Sequence, residues 1–391
     1  MVETAAIDAF LGQALRAIRS GRVAAWIDVP VDDSQTSETL NAVWSRIEVH
    51  GLVVLLHDSA ELLKGWPDRM IEAIAEDARI NGLWEATHAA ALSRLLAALD
   101  EAGIEAVLMK GTALAYSLHD EPATRRRGDS DLIIRPADCE SARSIFSECG
   151  WYRNNDPHGL VFQESWLIEA AGHFVHALDL HWEPSDRPVL QRVLRLEDFF
   201  THKQPLPRLS QHAFRADHAL TLIHETLNQK WHVAHGYWTE QGRVKGARRL
   251  IWSVDFDLLA RGLGNAGWQR LVTLCAERGV GPLVAEALRG AASDLDTPLP
   301  QQVLAMLEAQ PADADIAQYF SDSDSLSEFW LDLRTATSWS DRLRMVLDRG
   351  FPPRAHLLTK YPDHAGWPTL LLQARLLFET AGRVLRWVTA S

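Results

Sequence analysis

Cysteine is scarce in this chain: Cys139, Cys149 and Cys275 are the only three in 391 residues. They form neither a Cys-x-x-Cys pair nor a Cys/His spacing that holds zinc, so neither a disulfide framework nor a structural zinc centre is expected. No apolar run approaches the roughly 18 residues that a bilayer-spanning helix needs, and a membrane role is not expected. The opening MVETAAIDAF carries acids early, with no basic stretch ahead of an apolar one, so no signal peptide is expected and the implied setting is a reducing cytoplasm. Positive charge is short as well. There are 39 Lys and Arg against 52 Asp and Glu, a formal net charge of −13. A protein that coats nucleic acid needs clustered cations to neutralise phosphates, so nucleic acid is not the expected partner, although a local basic patch is still allowed. Internal repeats and low-complexity segments are also missing.

What is present is ordinary for a globular chain: 47% hydrophobic and 23% charged residues, enough length to bury a core unaided, and two or three domains if length is the guide. The fifteen tryptophans are scattered and read as core or interface anchors. Residues 1–66 read as a preface of short helices. Ala5 to Ile18 is amphipathic, and the apolar run Gly51 to Leu56 is strand or helix without a deciding period. From Pro67 a helix runs to Leu99 on the stripe Leu92, Leu95, Leu96, Leu99, with Gly82 as a point of kinking and Gly103 as its stop. Residues 67–186 then form a small mixed α/β domain behind that leading helix. Its strands are expected at Ile104–Met109, Asp131–Ile134, Leu160–Gln163 and Phe174–Trp182, with helices at Gly111–Leu118 and from Pro136 to Cys149. Residues 187–391 read as helical almost throughout, broken by a polar loop over 311–325 and by Gly350-Phe351-Pro352-Pro353, with a last helix from Pro368 to Val388.

The residues that carry chemistry lie in the middle domain. Asp129 and Asp131 are two apart on a strand and so share a face. One or two carboxylates plus substrate phosphates suffice for Mg²⁺. Lys110-Gly111-Thr112 ends the preceding strand and opens a helix. There a glycine lets a phosphate approach the free N–H groups, the Thr112 hydroxyl offers a donor, and Lys110 offers a point charge. Asp179, flanked by Leu178 and Leu180, is a carboxylate on a strand that is otherwise buried, and such a group needs a partner or a metal. His181 shares its face and reads equally as a substrate contact or a half-buried histidine. Arg125, Arg126 and Arg127 read as a phosphate clamp or as a solvated basic run.

Taken together, Met109-Lys110-Gly111-Thr112, Arg127-Gly128-Asp129-Ser130-Asp131-Leu132-Ile133-Ile134, Gly150-Trp151-Tyr152 and Asp179-Leu180-His181-Trp182 resemble the uncharacterised bacterial nucleotidyltransferases of the DNA polymerase β-like superfamily. His224 on a helix, Arg249-Leu250-Ile251-Trp252-Ser253-Val254-Asp255 and Phe351-Pro352-Pro353 extend the likeness over roughly 65–385. The chain departs from the superfamily in two respects. Gly111 is followed by Thr where Ser or Gly is commoner, and the gap to Asp129 is longer.

The resemblance implies an α+β fold, with a small mixed-sheet nucleotidyltransferase domain embedded in a largely helical chain. It implies transfer of a nucleoside monophosphate from an NTP, ATP first, to an acceptor hydroxyl on a small molecule, sugar or protein, with pyrophosphate leaving. Asp129, Asp131 and Asp179 are the implied catalytic and metal-binding residues, with two Mg²⁺ ions or Mn²⁺ in their place. Lys110, Gly111, Thr112 and Arg127, which falls on the family's arginine, are the implied phosphate contacts. His181, His224, Arg249 and Asp255 are candidates for the substrate cleft. Two other readings stay open: a toxin-like transferase acting on the tRNA 3′ end, and a nucleotide sensor or assembly protein without catalysis.

Overall fold

The computed structural model describes residues 3–27, 33–154, 161–239, 242–321 and 325–390, and a seven-stranded mixed sheet organises the middle of the chain. Its strands are β1 (Ala106–Met109), β2 (Asp129–Ile134), β3 (Tyr152–Arg153), β4 (Gln163–Glu169), β5 (Val175–His181), β6 (Gln204–Pro205) and β7 (Phe214–Arg215), in the order β3-β4-β5-β2-β1-β7-β6. β2 runs parallel to β5 and β1 parallel to β7, while the other neighbours are antiparallel. Every residue of β1 is buried, because both faces of the sheet are covered and an unbroken apolar run is what such a strand requires.

Preceding the sheet are α1 (Thr4–Arg19), α2 (Asp33–His50), α3 (Val53–Asp58) and α4 (Asp68–Glu101). The 34 residues of α4 serve two cores. Its early residues Met70, Ile74 and Ala78 pack with α1–α3. Its later residues Leu92, Leu95, Leu96 and Leu99 pack under the sheet against Leu108, Leu132, Leu178 and Leu180. The lower face is completed by α6 (Cys139–Glu148), which presents Ala142 and Phe146. α5 (Lys110–Leu118) begins directly at the end of β1.

The other face of the sheet carries the helical half. It comprises α7 (Pro188–Gln191), α8 (Leu196–Thr201), α9 (His218–His235), a hairpin of β8 (Tyr237–Thr239) and β9 (Gly242–Val244), then α10 (Leu250–Gly262), α11 (Asn265–Arg278), α12 (Gly281–Leu295), α13 (Gln301–Glu308), α14 (Ala314–Ser321) and α15 (Ser325–Thr335). Val107, Met109 and Ile133 supply the sheet's share of this core, and Leu220, Ile223 and Leu227 supply that of α9. Asp217 caps α9 by accepting from the N–H groups of Ala219 and Leu220, which explains why the helix starts there. The preface is not isolated, since Tyr237, Ile251, Trp252 and Leu295 complete the core around α1–α3. Arg19 reaches the fully buried Asp257 of α10 at 2.5 Å. Last come α16 (Trp339–Gly350), α17 (Arg354–Lys360) and α18 (Thr369–Ala390), where Leu357, Tyr361, Leu372 and Leu376 form a small cluster of their own.

The α+β class is as the sequence implies, and the differences are local. The run at 51–56 resolves as helix α3, because it packs on α4 rather than pairing with a strand. Gly82 does not interrupt α4; it lies on an open face where an added Cβ would meet nothing within 4 Å. The polar stretch 311–325 contains α14, whose Ile316 and Tyr319 are buried; residues 322–324 of that expected loop lie outside the described residues. The expected strand from Leu160 begins at Gln163, with Leu160 itself outside the described residues. The half expected to be helical also contains β6, β7 and the hairpin, all too short to show a period.

Leu95→Ala, in the fully buried stripe, is expected to lower stability by about 2–5 kcal/mol. Gly82→Ala is expected to raise it by up to about 1 kcal/mol, since the backbone is already helical. Denaturation midpoints of the two variants check both.

Candidate functional site

β2 and β5 pair in parallel with Asp131 opposite Asp179 and Asp129 opposite Ala177. Strand alternation therefore turns Asp129, Asp131, Asp179 and His181 to the same face, toward α9. Oxygens of Asp131 and Asp179 and a ring nitrogen of His181 lie within 4.8 Å of one another. Asp129 stands just outside this trio, at the open edge of the cleft. The Nζ of Lys110 donates to Asp131 Oδ1 at 2.5 Å, and His181 Nε2 lies 3.0 Å from the same oxygen. Lys110 adopts φ +49°, which turns its side chain back across the end of the strand.

Three carboxylates in one place repel, and their proton affinities show it. Burial would raise Asp131, but the Lys110 ammonium and the His181 hydrogen bond outweigh it and hold the carboxyl well below the usual range. Among the described residues no cation hydrogen-bonds Asp129, and Lys110 and His181 lower it only through their charge. Burial within the cleft, and then the charges of Asp131 and Asp179, push it up to about 6. Asp179 is raised by burial and by Asp131, against a hydrogen bond from Ser165. Burial acts to lower Lys110, but Asp131, Asp129 and Asp179 keep it firmly protonated. With Asp131 ionised, His181 donates from Nε2. Two hard carboxylates with a third alongside suit a divalent cation of the Mg²⁺ or Mn²⁺ kind, with His181 bracing Asp131 rather than ligating through the Nε2–H that it donates. The carboxylates therefore fit such a metal.

Behind the trio, on the lower face of β2, lies a buried polar network. Ser130 bonds His88 Nε2 at 2.7 Å and the Thr112 hydroxyl at 2.6 Å. Arg127 donates from Nε to Thr112 and from both terminal nitrogens to Glu85, each of those two at 2.8 Å. Tyr116 donates to Glu85 at 2.5 Å. The Thr112 hydroxyl is buried and engaged by Ser130 and Arg127, and the Arg127 fork is held by Glu85 while Arg127 also lines the cleft in front of the trio. Both residues fix the loop that presents Asp129 and Asp131. The sequence carried a signal for the network: Glu85 and His88 interrupt the buried stripe of α4 with polar side chains, and buried polar groups need partners.

In front of the trio is a cleft of about 700 Å³. Lys110 and Gly111 line its floor with Asp129, Asp131, Asp179 and His181, and His224, Trp231, Trp238, Arg249 and Trp252 line its far side. His224 is thus part of the wall, but burial first and the nearby Lys110 second depress it to about 3, so it stays neutral. Arg249 also lines the far wall, and Asp255 does not line the cleft. It lies behind Arg125, whose Nε reaches both carboxylate oxygens at 2.8 and 2.9 Å, so it is Arg125 that faces the cleft. Trp231 and Trp238 cluster with His232 and His235 in the sequence, where Lys230-Trp231-His232 reads as the start of a substrate loop; that the cluster walls the cleft opposite β2 is set by packing rather than by any short-range pattern.

The model of a protein family described as uncharacterised nucleotidyltransferase matches residues 36–296. A search of curated proteins returns no match. Among the described residues no helix is long and apolar enough to cross a membrane.

Glu85→Ala strands the Arg127 guanidinium and the Tyr116 hydroxyl together. It is expected to cost about 3–5 kcal/mol of stability. Glu85→Gln, which keeps acceptor capacity on one oxygen, is expected to cost less, and thermal melts of the two variants compare them.

Proposed function

The chain belongs to the uncharacterised nucleotidyltransferase family, and from that premise we propose that it moves a nucleoside monophosphate from an NTP to an acceptor hydroxyl and releases pyrophosphate. The supporting observation is the convergence of Asp131, Asp179 and His181 beside the Lys110-Gly111 helix start, in a cleft large enough for a nucleotide and part of a second molecule.

Asp131 and Asp179 would hold a divalent cation, with Asp129 extending the set toward the second of two ions. Mg²⁺ is the expected metal, with Mn²⁺ as a substitute. When bound, the cation supplies positive charge against the reacting phosphate and the departing pyrophosphate. His181 orients the Asp131 carboxylate. The first N–H groups of α5, with no side chain at Gly111 to obstruct them, face the cleft and favour an anion. Lys110 adds a fixed positive charge at the same point. Arg125, held from behind by Asp255 and by a bond from Nη1 to the Arg126 carbonyl, adds its guanidinium charge to the cleft lining. Leu190, Leu227 and the aromatic wall narrow the cleft opposite the carboxylates. ATP as donor, a small molecule, sugar or protein hydroxyl as acceptor, and a cytoplasmic setting belong to the same reading.

Incubation with α-labelled NTPs, Mg²⁺ or Mn²⁺ and cell extract is expected to transfer label. Asp131→Asn and Asp179→Asn are expected to reduce transfer roughly 100-fold or more, since several kcal/mol of charge stabilisation are removed. Nucleotide binding without transfer, insensitive to both changes, would overturn the proposal. The pH dependence has a defined sign. Asp129, at about 6, and the raised Asp179 take up protons as pH falls, and protons compete with metal. Metal affinity is therefore expected to fall about tenfold per pH unit below about 6. The rise in melting temperature caused by Mn²⁺ at pH 7.5 is expected to shrink sharply at pH 5.

A further inference from the structure

A second cavity, of about 550 Å³, adjoins the metal cleft. Its walls come from the end of α2 (Glu48, Val49), from α4 (Asp77, Ile80, Asn81, Trp84), from Phe174 ahead of β5, and from Trp238 of the hairpin. It shares Arg127, Gly128, Trp238 and Arg249 with the metal cleft, so the two spaces meet over Gly128, the residue next to Asp129. An added Cβ at Gly128 would meet nothing within 4 Å; the junction is open.

Arg249 stands at that junction. Its Nε donates to the Val49 carbonyl at 2.8 Å and its guanidinium lies 5.7 Å from the centre of the Tyr237 ring. No carboxylate pairs with it among the described residues. The nearby Asp255 is committed to Arg125 at 2.8 Å. Asp77 takes Arg126 at 3.2 Å, and Glu85 takes Arg127 at 2.8 Å. Burial, and then the charge of Arg125, bring Arg249 down to about 10, against the charges of Tyr237 and Asp255, which raise it. Gly51, at φ +71°, lies so close that an added Cβ would come within 2.8 Å of Arg249 Nη2. The turn between α2 and α3 is therefore shaped to admit this side chain. Beside it, the Trp238 side chain is 79% exposed, an aromatic face of the kind that single-stranded bases and planar ligands stack upon. The Asp77 carboxylate and the Asn81 amide add polar atoms at the rim.

We propose that this second cavity is a substrate subsite for a molecule that carries a planar ring and a phosphate, with the phosphate seated on Arg249 and the ring against Trp238, Phe174 and Trp84. Such a molecule is a nucleotide unit, either free or at the end of an RNA strand. Its service as the acceptor, with a ribose hydroxyl passing over Gly128 toward Asp129, rests on the nucleotidyl-transfer reading. Its binding does not.

The test uses the full chain in EDTA, titrated calorimetrically with AMP, adenosine, inorganic phosphate and a short RNA trinucleotide. AMP is expected to bind more tightly than adenosine or phosphate. Arg249→Gln is expected to weaken AMP roughly tenfold or more, the scale of one charge-assisted contact, while adenosine changes little. Ile80→Trp, at a position 45% exposed on α4, fills the cavity away from the carboxylates. It is expected to abolish AMP binding and to leave Mg²⁺-dependent NTP binding as it was. Phe174→Ala provides a second cavity variant that adds no volume. Trinucleotide binding tighter than AMP identifies an RNA end as the source, and weaker binding identifies a free nucleotide. AMP binding of unchanged strength in Arg249→Gln and both cavity variants, or no AMP binding at millimolar concentration, overturns the proposal. Because no metal is present, failure here is separable from failure of the transfer assay.

Discussion

The register of β2 against β5 is the constraint on which the site depends. Asp131 faces Asp179 because the two strands run parallel at that offset. A slip of one residue would turn Leu178 and Leu180 to the cleft and bury two carboxylates among leucines. The hydrophobic side enforces the offset: Leu132, Leu178 and Leu180 are fully buried in the lower core, and burying each is worth about 1.5–3 kcal/mol. The polar face of the sheet is held in place by its apolar back.

Bringing the carboxylates together has an electrostatic cost, and Lys110 offsets it. The ammonium sits on Asp131 at 2.5 Å, so the acid most deeply placed is also the one best neutralised. The buried network of Ser130, His88, Thr112, Arg127 and Glu85 does the corresponding work for the backbone. It ties the start of β2 to α4 and to the first turn of α5 at the same time, so the acids and the helix N-terminus that face the cleft are fixed to one another from behind.

The parts legible in the sequence were those encoded locally. Asp129 and Asp131 announce themselves by their spacing, Lys110-Gly111 by the strand-to-helix step, and Asp179 by being an acid between two leucines. What was not legible depended on distant segments. Thr112 and Arg127 have the right chemistry for phosphate, but the Thr112 hydroxyl is taken by Ser130 and Arg127, and the Arg127 fork is taken by Glu85 from a distant helix. Asp255 looks like a cleft residue until Arg125 is seen to cover it. The aromatic wall on α9 and the hairpin reaches β2 only through packing across more than 90 residues. His181 was read as a neighbour of the site, and it joined the trio because the parallel register left its face pointing inward.

The two-core helix α4 has a mechanical consequence. At about 1.5 Å per residue its 34 residues form a strut about 50 Å long, one end clamped among the N-terminal helices and the other under the sheet, with Glu85 and His88 near its midpoint. A strut fixed at both ends cannot let one end shift without loading its middle. Strain applied to the first 66 residues would therefore be felt at the back of β2 before anything in front of the cleft had moved.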